Sequence, residues 1–341
     1  MDNTLKKILI TGSTGLLGSS CVRLFQEKDW IVIGVDNNAR AKNLGTPEKQ
    51  NSGYLVDITD EQAIENLFIN HTFDAIIHCA GQASHDFSNN NVLLDFDTNA
   101  RGTVILLEAT RKYCPDAVFV HVSTDKVYGE NMFVELVEGE SRLNPTKGDY
   151  IGFDEQLGLD FAGHRSPFGC SKAAGDMYVQ EYAYTFGIKT GVFRPGCITG
   201  KNHEGAELHG FLAYLTKCIK EGKMYKIFGF KGKQVRDQIH ADDLASVFYH
   251  FIQNPRAGEV YNIGGGPDRS VSVLEAIHLI EKELNKETTE NGIISAKFSY
   301  AVARKGDRIW DVHDISKFRS HYPEWDYKYS LTDIIKDVCS K

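Results

Sequence analysis

The chain lacks what several large classes of protein require. No apolar run approaches the ~20 residues that a helix needs to cross a bilayer, so no membrane span is expected. The opening MDNTLKKILITG passes directly into a strand-like run, without the apolar core of a secretory leader. The seven cysteines (21, 79, 114, 170, 197, 218 and 339) are odd in number, scattered, and form no CxxC pair. Such spacing excludes a disulfide framework or a thiolate zinc site and fits reduced thiols in a cytoplasmic protein. Basic excess is missing too. Lys and Arg total 38 against 46 Asp and Glu, a net charge of −8, so nucleic acid is not the expected partner. There is no internal repeat or low-complexity block, and 341 residues suffice for one large domain and a smaller one.

What is present is a succession of βα units. Lys7 to Thr11 reads as an apolar strand, Gly12-x-x-Gly15-x-x-Gly18 as a tight turn, and Leu16 to Glu27 as a helix. That order lets backbone N–H groups and a helix dipole meet a pyrophosphate. A second strand, Ile31 to Val35, ends in Asp36, whose carboxylate suits an adenosine ribose and repels a 2′-phosphate. NAD is therefore favoured over NADP, with Arg40 the one nearby residue that argues otherwise. Asp57-Ile58 closes a third strand, where the carboxylate either reaches an adenine or caps a helix from Thr59 to Phe68.

The run from Phe73 leads into Cys79-Ala80-Gly81-Gln82, whose small residues permit close backbone approach. His78 in that run reads as a core histidine. Asn99 begins a helix that ends near Tyr113, and Ser123-Thr124-Asp125-Lys126 follows the strand 117–122. Five such units predict an α/β fold with a doubly wound parallel sheet, of Rossmann type. Residues 1–196 and about 237–267 form its nucleotide-binding domain. Residues 197–236 and about 268–341 form a smaller mixed α/β substrate domain, and 130–165 read as a long loop. A helix over 168–186 then carries Phe168 and Lys172, four residues apart and so on one face.

In that order these motifs resemble the extended short-chain dehydrogenase/reductase family. Leu159-Asp160-Phe161, Ser166-Pro167-Phe168-Gly169-Cys170-Ser171-Lys172 and Gly232 to Asp237 are similar to its CDP-sugar 2-epimerases. The resemblance implies NAD held by Gly12, Gly15, Leu16, Leu17, Gly18, Asp36, Asn37, Arg40, Asp57, Ile58, Ala80, Gly81, Gln82, Asn99 and Lys172. It implies a CDP-linked dideoxyhexose oxidised at C2 and reduced again on the opposite face. Thr124 would hold the reacting hydroxyl, Ser123 would line the site, and Gln82, Arg194, Gln234, Arg236 and Arg304 would contact substrate. The same resemblance implies a homodimer or homotetramer.

One absence matters most. The family's catalytic tyrosine falls on Phe168, which has no proton to exchange. Either the phenol was replaced to hold substrate unreacted, or this chain lost it and uses another acid such as Asp125 or water. Asp125 also resembles the acid of sugar-nucleotide 4,6-dehydratases, a rival activity, and a non-catalytic nucleotide-sugar binder is the reading from another class. The loop before the helix carries about three more residues than the epimerase pattern. Its His164 and Arg165 read as solvated.

Overall fold

The computed structural model describes residues 5–39, 53–130, 134–148, 150–159, 164–201, 203, 210–286, 293–304 and 307–340. In chain order, the first strands are β1 (Lys7–Thr11), β2 (Ile31–Asp36), β3 (Tyr54–Leu55), β4 (Ala75–His78) and β5 (Val118–Val122). A hairpin of β6 (Leu136–Glu138) and β7 (Leu143–Pro145) follows, then β8 (Lys189–Pro195), β9 (Cys197–Thr199), β10 (Met224–Phe228) and β11 (Val235–His240). The last are β12 (Glu259–Ile263), β13 (Ser270–Ser272), β14 (Lys297–Ala301) and β15 (Trp310–Asp311).

Seven of these form one parallel sheet in the order β12-β8-β5-β4-β1-β2-β3. Alternate residues of a strand point to opposite faces, and both faces are covered by helices. Ile8 and Ile10 pack with Phe25, Phe193 and Phe248 on one side, and Leu9 packs with Ile76, Phe119 and Leu106 on the other. The strand order reverses beside β1, and the crevice at the carboxyl ends of β1 and β4 is where such sheets bind ligands. The expected doubly wound sheet is therefore present.

The smaller unit has its own core. Leu215 and Ile219 of the helix Phe211–Lys220, Ile277 and Ile280 of Val273–Leu284, and Ile334 and Ile335 of Leu331–Cys339 pack together. Beside it, β10 pairs with β14, and β11 pairs with β9, β13 and β15. Two details differ from the sequence reading. Asp237–His240, placed there in the main domain, lies in this second, mixed sheet. Ile315, Phe318, Tyr322 and Trp325, placed there in the smaller domain, pack into the main core with Phe193 and Tyr261. The reason is aromatic packing: Phe318 meets Tyr261 edge-on at 5.4 Å, closing the exposed flank of β12. The stretch read as a loop contains the β6–β7 hairpin. No described helix is long and apolar enough to cross a membrane.

Candidate active site

The β1 turn is shaped by steric need. Gly12 has φ +67°, and a Cβ there would lie 2.8 Å from Ala80 N. A Cβ on Gly18 would lie 2.0 Å from Gly12 O, so only glycine lets the helix Leu16–Glu27 sit this close to the turn. No side chain caps that helix, and its first N–H groups face a cavity of about 390 Å³. Gly12, Gly15, Leu16, Leu17, Gly18, Asp36, Gly81 and Gln82 line it. Asp36 accepts from Thr14 N at 3.0 Å and Asn38 N at 2.8 Å, which pins its carboxylate at the tip of β2. A bare glycine cradle, an uncapped helix start and a fixed acid fit a dinucleotide.

At the other end of the cavity stands the helix Ser166–Phe186, with proline in its first turn and Gly187 at φ +70° ending it. It presents Phe168 and Lys172 to the cavity on one face, as their spacing predicts. Lys172 is buried and donates to Val122 O at 2.6 Å. Burial lowers its pKa to about 8, against the opposing pull of Asp176, Cys79 and Asp95. Phe168 is buried, and its ring meets His85 at 5.0 Å, edge to face. Ser123, Thr124 and Asp125 follow β5 into the same space. Ser123 donates to Asp176 at 2.7 Å, and Thr124 donates to Asp125 at 3.0 Å.

A second cavity of about 450 Å³ adjoins the first, and His85, Lys126, Cys197, Gly210 and Phe211 border both. It is lined by Gln234, Arg236 and Arg304, with Tyr225, Ile227 and Phe228 as apolar walls. Arg304 is held by Asp307 at 2.8 and 3.1 Å and lies over Phe228. Gln234 Oε1 is buried and has no hydrogen-bond partner among the described residues, an acceptor left for a ligand donor. Apolar walls with a few polar groups and arginine forks suit a nucleoside diphosphate.

Other sequence candidates lie elsewhere. Arg194 lines neither cavity. Its guanidinium is buried and bound by Asp176 at 2.8 and 2.9 Å and by the Tyr128 hydroxyl at 2.8 Å, so the expected substrate contact is corrected to a structural one. Asn99 also sits behind the wall, in the π-helical turn Asp97–Arg101. It donates to Gln82 O at 3.0 Å and Ser171 Oγ at 3.0 Å, tying the β4 loop to the lysine helix. Ala80 backs Gly12, and Ile58 is core. Asp57 lies outside the cavity lining, as does Asn37, which donates to it at 2.8 Å. Burial raises the Asp57 pKa, but bonds from Thr59 and Asn37 outweigh it and hold the group below its ordinary value. The cap of the next helix, Glu61–Asn70, is Asp60 rather than Asp57. Arg40, Asp160 and Phe161 lie outside the described residues.

His78 is the core histidine expected. Its Nδ1 lies 2.8 Å from Thr11 Oγ1 and its Nε2 3.0 Å from Thr103 Oγ1, and burial pushes its pKa to about 3. Asp125 carries an interaction that sequence does not reveal. Lys126 Nζ at 3.0 Å and Arg308 Nη1 at 3.1 Å both bond its carboxylate, and Arg308 also binds Asp311. Asp125, Asp311 and His313 lie close enough to suggest a metal site, but these two cations already occupy it. An Asp125 acting as proton donor would have to leave that network. His85 and Arg308 were not singled out by sequence. For His85 the available signal was its place three residues after Gln82, at the carboxyl end of β4. Arg308 had none.

The pattern of the NAD dependent epimerase/dehydratase family matches residues 8–264. CDP-paratose 2-epimerase of Salmonella typhi is 34% identical over 97% of this chain and 98% of its own length. A dTDP-glucose 4,6-dehydratase of Escherichia coli is 31% identical over 95% of this chain and 85% of its own. Among solved structures, UDP-glucuronic acid 4-epimerase from Bacillus cereus, in complex with UDP-glucuronic acid and NAD, superposes with a TM-score of 0.76. It is 25% identical and covers 98% of both chains.

Proposed function

The chain belongs to the NAD dependent epimerase/dehydratase family, and from that premise we propose that it is a nucleotide-sugar epimerase acting at C2 of a CDP-linked dideoxyhexose. One observation carries the reading: the dinucleotide cavity and the arginine-lined cavity meet at shared residues, beside Phe168 and Thr124. A nucleotide sugar lying across that junction puts its diphosphate by Arg236 and Arg304 and its ring against the site of chemistry. NAD, the family's cofactor, supplies reversible oxidation of a sugar carbon when bound.

This chain's own residues supply the rest. The glycine turn and Asp36 hold the dinucleotide, and Lys172 orients its ribose nearest the sugar. Thr124 holds the reacting hydroxyl, and the apolar walls exclude water so that no intermediate ketone escapes. The choice of C2 and of CDP rests on the Salmonella relative, similar along the whole chain. With Phe168 where a phenol would exchange the proton, turnover is slowed. Phe168→Tyr therefore raises kcat by about 100-fold or more, the usual worth of a placed general acid–base. The assay incubates both proteins with CDP-paratose, CDP-tyvelose and CDP-glucose and follows products by NMR and mass. Loss of water from CDP-glucose would replace this reading with the dehydratase one. Binding of CDP sugars by both proteins, without turnover by either, would favour a binding role.

A further inference from the structure

Oxidation of a sugar hydroxyl requires a group that takes its proton, and the ring at position 168 cannot. Most titratable groups around the junction are engaged. Asp125 is bonded by Thr124, Lys126 and Arg308. Lys126 bridges Asp125 and Asp311, and Lys172 is turned to Val122 O. Asp36 serves the far end of the dinucleotide cavity.

His85 keeps one ring nitrogen open among the described residues. It opens the helix His85–Asn90 just after β4, borders both cavities, and packs edge to face on Phe168 at 5.0 Å. Its Nδ1 lies 2.9 Å from Ser166 Oγ, and Nε2 has no hydrogen bond among the described residues. Ser166 is held at φ +62°, a conformation that side chains rarely adopt and that costs of order 1 kcal/mol. Its Oγ also accepts from Gly169 N at 3.3 Å. In the tautomer that carries its hydrogen on Nδ1, that oxygen accepts from Nδ1–H as well and the lone pair resides on Nε2. The fold thus tolerates strain at the residue that orients this imidazole.

We propose that His85 Nε2 is the proton acceptor and donor for the sugar hydroxyl in this chain, standing in for the absent phenol; this rests on the epimerase reading above. As the C2–H bond breaks, its electron pair passes to the bound cofactor, the C2=O bond forms, and Nε2 takes the hydroxyl proton. The imidazolium returns that proton to the oxygen when the pair comes back on the opposite face. Two electrons and two hydrogen nuclei leave and return, so the product keeps the composition of the substrate.

The charges around His85 couple this step to binding. Lys126 faces it from the segment after β5, Arg304, Asp307 and Arg308 from the segment before β15, and Asp86 from its own helix. Burial first, then Lys126, Arg304 and Arg308, hold its pKa down at about 4, with Asp307 opposing them. A diphosphate entering the second cavity brings negative charge among those cations and raises the basicity of the imidazole.

The test compares the full chain, His85→Gln, Phe168→Tyr and the double variant, each loaded with NAD and given CDP-paratose. In parallel, NMR of labelled histidine follows the His85 titration with and without CDP. The expected results are a kcat loss of about 100-fold in His85→Gln, recovery of that loss when Phe168→Tyr is added, and an upward move of the His85 pKa on CDP binding. Circular dichroism and CDP affinity check that His85→Gln folds. A folded His85→Gln turning over like the original chain, or a His85 pKa unmoved by CDP, overturns the proposal. An active Phe168→Tyr beside an inert original chain also overturns it, while leaving the epimerase reading intact. If all four proteins are inert on CDP-paratose, both fall.

Discussion

Removing the charge of Asp176 tests whether Arg194 is a support rather than a substrate contact. Asp176, on the lysine helix, is fully buried and accepts from Arg194 Nε and Nη2, from Ser123 Oγ at 2.7 Å and from Gln180 Nε2 at 2.7 Å. Arg194 is 4% exposed, with Tyr128 taking its remaining direction. Asp176→Asn keeps the shape but leaves a guanidinium buried without a counter-charge, which costs about 3–5 kcal/mol. The amide also turns two hydrogens toward groups that are themselves donors. For a chain of 341 residues each kcal/mol moves Tm by roughly 1.4 °C, so a drop of about 4–7 °C is expected. Calorimetry on Asp176→Asn and on Arg194→Met, with KM for the CDP sugar measured on each, reads both effects. Both variants should lose stability, and Arg194→Met should keep the KM of the parent. A loss below about 1 kcal/mol, or a tenfold rise in KM at unchanged Tm for Arg194→Met, would refute the assignment.

Other outcomes follow from the same geometry. Gly18→Ala should abolish NAD binding measured by calorimetric titration, because the added Cβ meets the Gly12 carbonyl at 2.0 Å and pushes helix and turn apart. Arg236→Met removes a guanidinium from the second cavity, and the loss of a charge-assisted bond worth about 1.5–3 kcal/mol should raise KM for the nucleotide sugar about 10- to 100-fold with kcat less affected. Stability should also depend on acid. Burial holds His78 at about 3 and His121, with both ring nitrogens unpartnered among the described residues, well below its ordinary value. Unfolded, both titrate near 6.5, so the unfolded chain binds more protons below that pH. Stability is therefore complete above about pH 6.5 and falls as pH drops toward 3, by up to ~1.4 kcal/mol per pH unit per histidine. Urea midpoints between pH 7 and 4 measure this, and His78→Gln should flatten the slope.

Local signals in the sequence determined the parallel sheet, the glycine turn, Asp36 and the lysine helix. Period-two and period-3.6 patterns, and glycines whose spacing only a βα turn explains, act between residues close in the chain. The pairing of Phe168 with Lys172 was legible for the same reason, being one helical turn. What tertiary structure decided were meetings between distant segments. Arg194 ends a strand at the edge where chemistry is done, but whether its fork faces a ligand or Asp176 depends on the helix laid beside it. Asp125 reads as a free acid until Arg308, from 183 residues away, bonds to it. His85 carries no motif, and only the packing of the β4 loop against the lysine helix brings its imidazole to the ring where the phenol is missing. A sequence states which groups the chain possesses, whereas their desolvation and their partners are fixed by long-range packing.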